Sequence, residues 1–137
     1  MALTHVVDTS VLTRLTNPSV RAALEPLSAA GSIARAGMSD LEVCFSARNA
    51  REWDALLDAL QTFDLVETDS RHVERARHVQ RLLAARRERG RKVPDLLIAA
   101  AAELAGLTVL HYDADFDRIK AVTGQACEWV VPAGSVT

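Results

Sequence analysis

The sequence predicts an α/β fold built on a parallel sheet, and three observations carry that expectation. Short β-branched or apolar runs alternate with helical patterns along the chain, which is what βαβ crossovers produce. Helix-start residues follow strand ends directly, as in Val7-Asp8-Thr9-Ser10-Val11. The stretch Val93-Pro94-Asp95-Leu96-Leu97-Ile98, followed by alanines at 99–102, is so apolar that a helix there has to be buried on most of its surface.

The elements follow in order. Thr4 to Val7 reads as a strand ending at Asp8, and Val11 to Leu15 as a short helix behind N-cap residues. Asn17-Pro18-Ser19 breaks the chain. Val20 to Ala30 has helical spacing through Val20, Leu24 and Leu27, with Pro26 placed as a kink, and ends before Gly31. Ser32 to Ala36 is a weak strand, Ser39 to Ala47 a second helical region, and Asn49 to Phe63 an amphipathic helix with Trp53, Leu56, Leu57 and Leu60 on one face. Leu65 to Glu67 reads as a strand; an Arg-rich helix then starts behind Asp69 or Ser70 and stops at Gly90. The apolar helix runs from Val93 to Ala105, with Pro94 and Asp95 suited to its first turn. Thr108 to Tyr112 is the clearest later strand. Asp113 to Asp117 leads into a short helix to about Val122, and Glu128 to Val131 closes the set. Repeats and low-complexity tracts are absent.

A length of 137 residues predicts one domain, residues 1–137, with 132–137 as a tail, large enough to bury a core without disulfides. Cys44 and Cys127 stand alone, with no neighbouring ligand spacing, so reduced thiols are expected rather than a zinc site. The sequence shows no secretory signal pattern and no apolar run long enough for a bilayer, which predicts a cytoplasmic protein. The net charge of −2 hides a segregated distribution: residues 71–92 carry +7 and the remainder −9. That basic segment, with Arg86, Arg87, Arg89, Arg91 and Lys92 at its end, is a candidate contact for a polyanion such as a nucleic acid; a solvated helix face accounts for it equally well.

The acids carry the chemistry. In an open parallel sheet, functional groups gather beyond the carboxyl ends of the strands, where strand order reverses. Asp8 and Asp113 both follow apolar strands, and Asp95 starts the helix that feeds the second of them. Each acid also has a plain reading. Asp8 suits an N-cap, Asp95 a first helical turn, and Ser39-x-x-Glu42 a capping box. Their combination points further. Two unit charges about 5 Å apart at an effective dielectric of about 20 repel by about 3 kcal/mol, so three mutual pairs cost on the order of 10 kcal/mol. A cation has to offset that, and oxygen ligands without His or Cys select Mg²⁺ or Mn²⁺.

The motifs Val7-Asp8-Thr9-Ser10-Val11-Leu12, Ser39-Asp40-Leu41-Glu42, Pro94-Asp95-Leu96-Leu97-Ile98-Ala99-Ala100 and His111-Tyr112-Asp113-Ala114-Asp115-Phe116-Asp117-Arg118-Ile119 resemble those of the PIN-domain ribonucleases, in particular the VapC toxins of type II toxin–antitoxin pairs. Thr123-Gly124-Gln125 and Glu128-Trp129-Val130-Val131-Pro132 are similar to that family's closing segment, so the resemblance covers essentially the whole chain. It implies a three-layer α/β/α sandwich around a mostly parallel five-stranded sheet, an acidic Mg²⁺ or Mn²⁺ pocket, a homodimer and a VapB-type antitoxin. Asp8, Glu42, Asp95 and Asp113 match the catalytic quartet; Asp8, Asp95, Asp113 and Asp115 match metal ligands; Thr9 or Ser10 matches the hydroxyl that supports the site beside the first acid; and Asp117 is a further site-supporting candidate, the spacing Asp113, Asp115, Asp117 leaving open which two face the metal.

The resemblance implies an endoribonuclease that hydrolyses RNA to a 5′-phosphate and a 3′-hydroxyl, with Asp8, Asp95 and Asp113 positioning metal and Glu42 assisting a ligand or orienting the attacking water. Few aromatics, 4% of residues, predict recognition through RNA shape and backbone rather than base stacking. Two alternatives compete. An aspartyl-phosphate phosphatase would use Asp8, but Ser10 stands where its acid is needed. An inactive PIN-like module would bind RNA or protein without cleaving. An apolar groove between Val20–Ala30 and Asn49–Phe63 is the expected antitoxin seat, unless those faces pack in the core.

Overall fold

The computed structural model describes residues 2–88 and 92–137. Its elements are β1 (His5–Val7), α1 (Thr9–Leu12), α2 (Pro18–Ala29), β2 (Ile33–Ala36), α3 (Gly37–Cys44), α4 (Ala50–Leu60), β3 (Asp64–Val66), α5 (Ser70–Ala85), α6 (Val93–Leu104), β4 (Thr108–His111), α7 (Asp115–Thr123) and β5 (Cys127–Trp129). The strands form one sheet in the order β3-β2-β1-β4-β5. Every pairing is parallel, with Val7 opposite Arg35 and Leu110, and His111 opposite Trp129.

Side chains alternate across a strand, so neighbours in sequence build opposite layers. Val6, Ala34 and Val109 face Val79 and Leu83 of α5, Ile98 and Ala102 of α6, and Phe116 and Ile119 of α7. Val7, Ile33 and Leu110 face Val11, Val20, Leu24, Cys44 and Leu60, contributed by α1 to α4. The result is the α/β/α sandwich expected. Residues 98–102 of α6 are fully or almost fully buried, because the alanines let the helix lie close against its neighbours. No helix among the described residues is long and apolar enough to cross a membrane.

The boundaries differ where side chains override the local pattern. Asn17-Pro18 starts α2 instead of breaking the chain: Asn17 Oδ1 accepts from the N–H groups of Ser19 and Val20, and Pro18 takes the first helical position. Pro26 sits inside that helix. The capping box at Ser39 does not form, since α3 begins at Gly37 and Glu42 lies in its middle. The Arg-rich helix ends at Ala85, short of Gly90, which lies outside the described residues; at its other end Asp69 and His72 form a reciprocal cap.

Two ion pairs fix helices to the frame. Arg35 on β2, almost fully buried, grips Asp40 of α3 with two guanidinium nitrogens at 2.7 and 3.1 Å and donates to the Phe63 carbonyl. Asp40 therefore points away from Glu42, as residues two apart on a helix must. Arg75 of α5 holds Glu103 of α6 at 2.5 and 3.1 Å.

Candidate active site

Strand order reverses between β1 and β4, and the loops leaving those two strands meet at the carboxyl edge of the sheet. Asp8 is the first residue beyond β1 and the N-cap of α1, so its plain reading holds. It is 2% exposed, and its Oδ2 accepts from the Ser10 N–H at 2.9 Å and the Ser10 hydroxyl at 2.6 Å. Its other oxygen, Oδ1, is buried and has no hydrogen-bond partner among the described residues. Burial raises the Asp8 pKa, the Ser10 hydrogen bonds pull it down, and the charge of Glu42 raises it again.

Asp95 enters from the first turn of α6, where Pro94 spares a backbone donor. It is 7% exposed, and among the described residues its Oδ2 also has no hydrogen-bond partner. Burial, then the charge of Asp8, push its pKa up to about 7. Asp113 follows β4; its N–H donates to His111 Nδ1 at 3.2 Å, and its Oδ1 accepts the Asp115 N–H at 2.9 Å, an Asx-type turn that starts α7. Asp95, Asp113 and Asp115 each bring a carboxylate oxygen within 4.8 Å of the other two.

Glu42 comes from α3, near enough for its charge to act on Asp8. The Thr9 hydroxyl lies 2.7 Å from Glu42 Oε1 and 2.9 Å from Ser39 Oγ. With one proton to give, Thr9 donates to the carboxylate and accepts from the fully buried Ser39. Glu42 thus has a fixed anchor in Thr9 and is not one of the three clustered acids.

Two residues depart from the expectations. Lys92, read as an RNA-facing cation, turns onto the acids: Nζ is 3.2 Å from Asp115 Oδ2, 3.3 Å from Asp113 Oδ2 and 3.6 Å from Asp95 Oδ2. Burial disfavours its charged form, but the hydrogen bond to Asp115 and the charges of Asp95 and Asp113 outweigh that and raise its pKa. Asp117, expected to support the site, takes the Trp129 indole N–H at 3.1 Å and stays outside the cluster. Of the remaining basic residues, Arg86 and Arg87 are exposed, and Arg89 and Arg91 lie outside the described residues.

Sequence reasoning missed three supports: Ser39 anchors Thr9, His111 takes the Asp113 N–H, and Arg118 holds Asp115 Oδ1 at 2.8 Å. Only Arg118 left a local signal, its i+3 spacing from Asp115 on a helix. Ser10, expected beside the first acid, also accepts the Tyr112 N–H at 2.8 Å. His111 is completely buried against Phe116 and Trp129, and burial lowers its pKa to about 4, so the ring is neutral near pH 7.

A doubly wound parallel sheet with carboxylates gathered at its switch point is the architecture of a PIN domain, and the PIN domain family model matches residues 5–122. Over 136 residues the chain is 61% identical to Ribonuclease VapC51 of Mycobacterium tuberculosis, with 99% of each chain covered. Ribonuclease VapC21 of the same organism is 41% identical, covering 98% of this chain and 99% of the relative. The chain belongs to the PIN-domain family, in its VapC group. In fold it is similar to the crystal structure of VapBC2 from Rickettsia felis bound to a promoter DNA fragment, with a TM-score of 0.75 at 18% identity, covering 93% of this chain and 98% of that one.

Proposed function

We propose that this chain is a ribonuclease toxin of a VapBC-type pair that hydrolyses RNA phosphodiesters with a divalent cation of the Mg²⁺ or Mn²⁺ class. The observation that carries the reading is the convergence of Asp95, Asp113 and Asp115 together with two buried carboxylate oxygens, Asp8 Oδ1 and Asp95 Oδ2, that have no hydrogen-bond partner among the described residues. A buried carboxylate oxygen without a partner is costly, and two of them next to further acids call for a cation. The ligand set of that cluster is oxygen only, which fits a hard cation. Asp8, Asp95, Asp113 and Asp115 would hold it.

A cation there supplies Lewis-acid polarisation of a phosphoryl oxygen and activates water as nucleophile. The chain's own residues do the rest. Ser10 fixes Asp8 in the rotamer that leaves Oδ1 free, and the Asx-type turn at Asp113 leaves its Oδ2 facing the pocket. Glu42, anchored by Thr9, is placed to orient the attacking water and take its proton. Arg86 and Arg87, exposed just past α5, would contact the RNA backbone.

The relatives named as ribonucleases support the activity, and the VapBC complexes of like fold support a VapB-type antitoxin. An open cavity of about 550 Å³ beside α2, lined by Leu15, Leu24 and Phe63 among others, suits an apolar antitoxin side chain. Leu41 and Phe45, 67% and 90% exposed, would be covered in a homodimer. The test is cleavage of a structured RNA with Mg²⁺, comparing the wild type with Asp95→Asn. Loss of cleavage in the variant supports the reading; equal rates overturn it and leave a binding module. Relief of growth arrest by the adjacent open reading frame tests the toxin assignment.

A further inference from the structure

We propose that Lys92 is a built-in stand-in for the divalent cation: its ammonium occupies the acidic pocket of the metal-free chain and has to leave when metal enters. The inference rests on the metal-pocket reading above and concerns the residue that competes for that pocket.

The geometry is that of a counter-ion. Lys92 Nζ touches Asp95, Asp113 and Asp115 at 3.6, 3.3 and 3.2 Å, the same three residues whose oxygens converge within 4.8 Å. A small cation bound among those carboxylates at ordinary metal–oxygen distances would share their space with the ammonium, and two positive charges so close repel. One of them has to go. Lysine suits exchange, since its charge sits at the end of a flexible stem. The side chain is 61% exposed, so the ammonium has an open way out, while the Lys92 carbonyl is held by the Leu96 N–H at 3.1 Å. The backbone stays and the side chain swings.

The pocket also shows why the lysine is a substitute rather than a permanent partner. It reaches neither Asp8 Oδ1 nor a hydrogen bond with Asp95 Oδ2, so among the described residues these two buried oxygens keep no hydrogen-bond partner. Asp115 is shared between a cation that stays and one that leaves, because Arg118 holds its Oδ1 at 2.8 Å while Lys92 holds Oδ2. The exchange keeps the acids together before metal arrives and weakens apparent metal affinity by the fraction of time the pocket is free of the ammonium.

The experiment uses the full chain stripped of metal. Mn²⁺ is titrated by calorimetry into wild type and Lys92→Gln, and metal-free melting is compared. Lys92 acetylation is then followed by mass spectrometry with and without Mn²⁺, using Lys120, the chain's other lysine, as internal reference. The variant is expected to bind Mn²⁺ roughly tenfold tighter, the factor for a pocket free about one-tenth of the time. It is also expected to melt lower without metal, and wild-type Lys92 to become several-fold more reactive when Mn²⁺ saturates the pocket. A lysine that lends only its field leaves its reactivity unmoved. If Mn²⁺ binds and Lys92 reactivity does not rise, or the variant binds no tighter, the inference is overturned while the pocket reading stands. If neither protein takes up Mn²⁺, the pocket reading itself fails.

Discussion

Ser10 locks Asp8 in place: its hydroxyl donates to Asp8 Oδ2 at 2.6 Å while accepting the Tyr112 N–H at 2.8 Å. One small side chain thus joins the end of β1 to the loop that carries Asp113, and the Asp8 N–H ties the same strands through Leu110 O at 2.9 Å. Ser10→Ala leaves the Tyr112 N–H without its acceptor and Asp8 Oδ2 with one donor instead of two. A loss of about 1–3 kcal/mol in urea unfolding is expected, the usual cost of stranding part-buried polar groups. Mn²⁺ affinity should fall with it, because Asp8 gains freedom to turn.

Asp95→Asn should stabilise the metal-free protein, and only above a certain pH. The Asp95 pKa is 3.8 in a model peptide and about 7 in the fold, pushed up by burial and by Asp8. The folded state therefore holds the proton more tightly than the unfolded one, and ionisation works against folding. That penalty is absent below pH 4, grows between 4 and 7, and is complete above; at full size it is on the order of 4 kcal/mol. His111, with its pKa lowered to about 4 chiefly by burial, acts oppositely, contributing stability above pH 6.5 that is lost toward pH 4. Both proteins carry it, so it cancels in the comparison. Melting curves from pH 4 to 8 without metal should show the variant gaining on wild type as pH rises; a constant gap would contradict the raised pKa.

How much of this was legible in the sequence depends on whether the signal was local. Strand ends and caps are local, so Asp8, Asp113 and the buried helix behind Pro94 could be read, and with them the parallel sheet that brings them together. Asp95 alone reads as a first-turn acid; its partnership with Asp8 needed the β1–β4 adjacency, which no single segment encodes. The Ser39-x-x-Glu42 spacing matched a capping box, yet Glu42 bonds Thr9, more than thirty residues earlier in the chain. Lys92 looked like one more charge in a basic run, because sequence cannot show that three acids converge beside it. The Asp113-x-Asp115-x-Asp117 spacing left open which acids face the cluster, and a contact across the sheet edge, Trp129 to Asp117, decided it.

The two neighbouring acids should therefore behave differently. Asp115→Asn removes an oxygen of the three-acid cluster and a partner of both Lys92 and Arg118. A drop in Mn²⁺ affinity of about tenfold or more is expected, consistent with losing one charged ligand worth at least ~1.4 kcal/mol. Asp117→Asn keeps an oxygen for the Trp129 indole and lies outside the cluster, so Mn²⁺ affinity and cleavage should stay within about threefold of wild type, the scatter of ordinary surface substitutions. Equal losses in both variants would mean that Asp117 joins the pocket after all.

Thr9→Val tests whether Glu42 acts in chemistry or only in holding metal. Valine keeps the shape of threonine but removes the hydroxyl that holds Glu42 Oε1 at 2.7 Å, leaving Ser39 Oγ facing a methyl group. Glu42 stays on α3 but is free to change rotamer. If its role is to orient water, cleavage should slow by roughly tenfold at saturating metal, about 1.4 kcal/mol in the barrier, while Mn²⁺ affinity is hardly changed. If Glu42 instead helps hold the cation, affinity and rate fall together. Thr9→Ser, which restores the hydroxyl without the methyl, should recover most of the rate. That recovery separates a lost hydrogen bond from a disturbed α1, since a structural defect would persist in the serine variant.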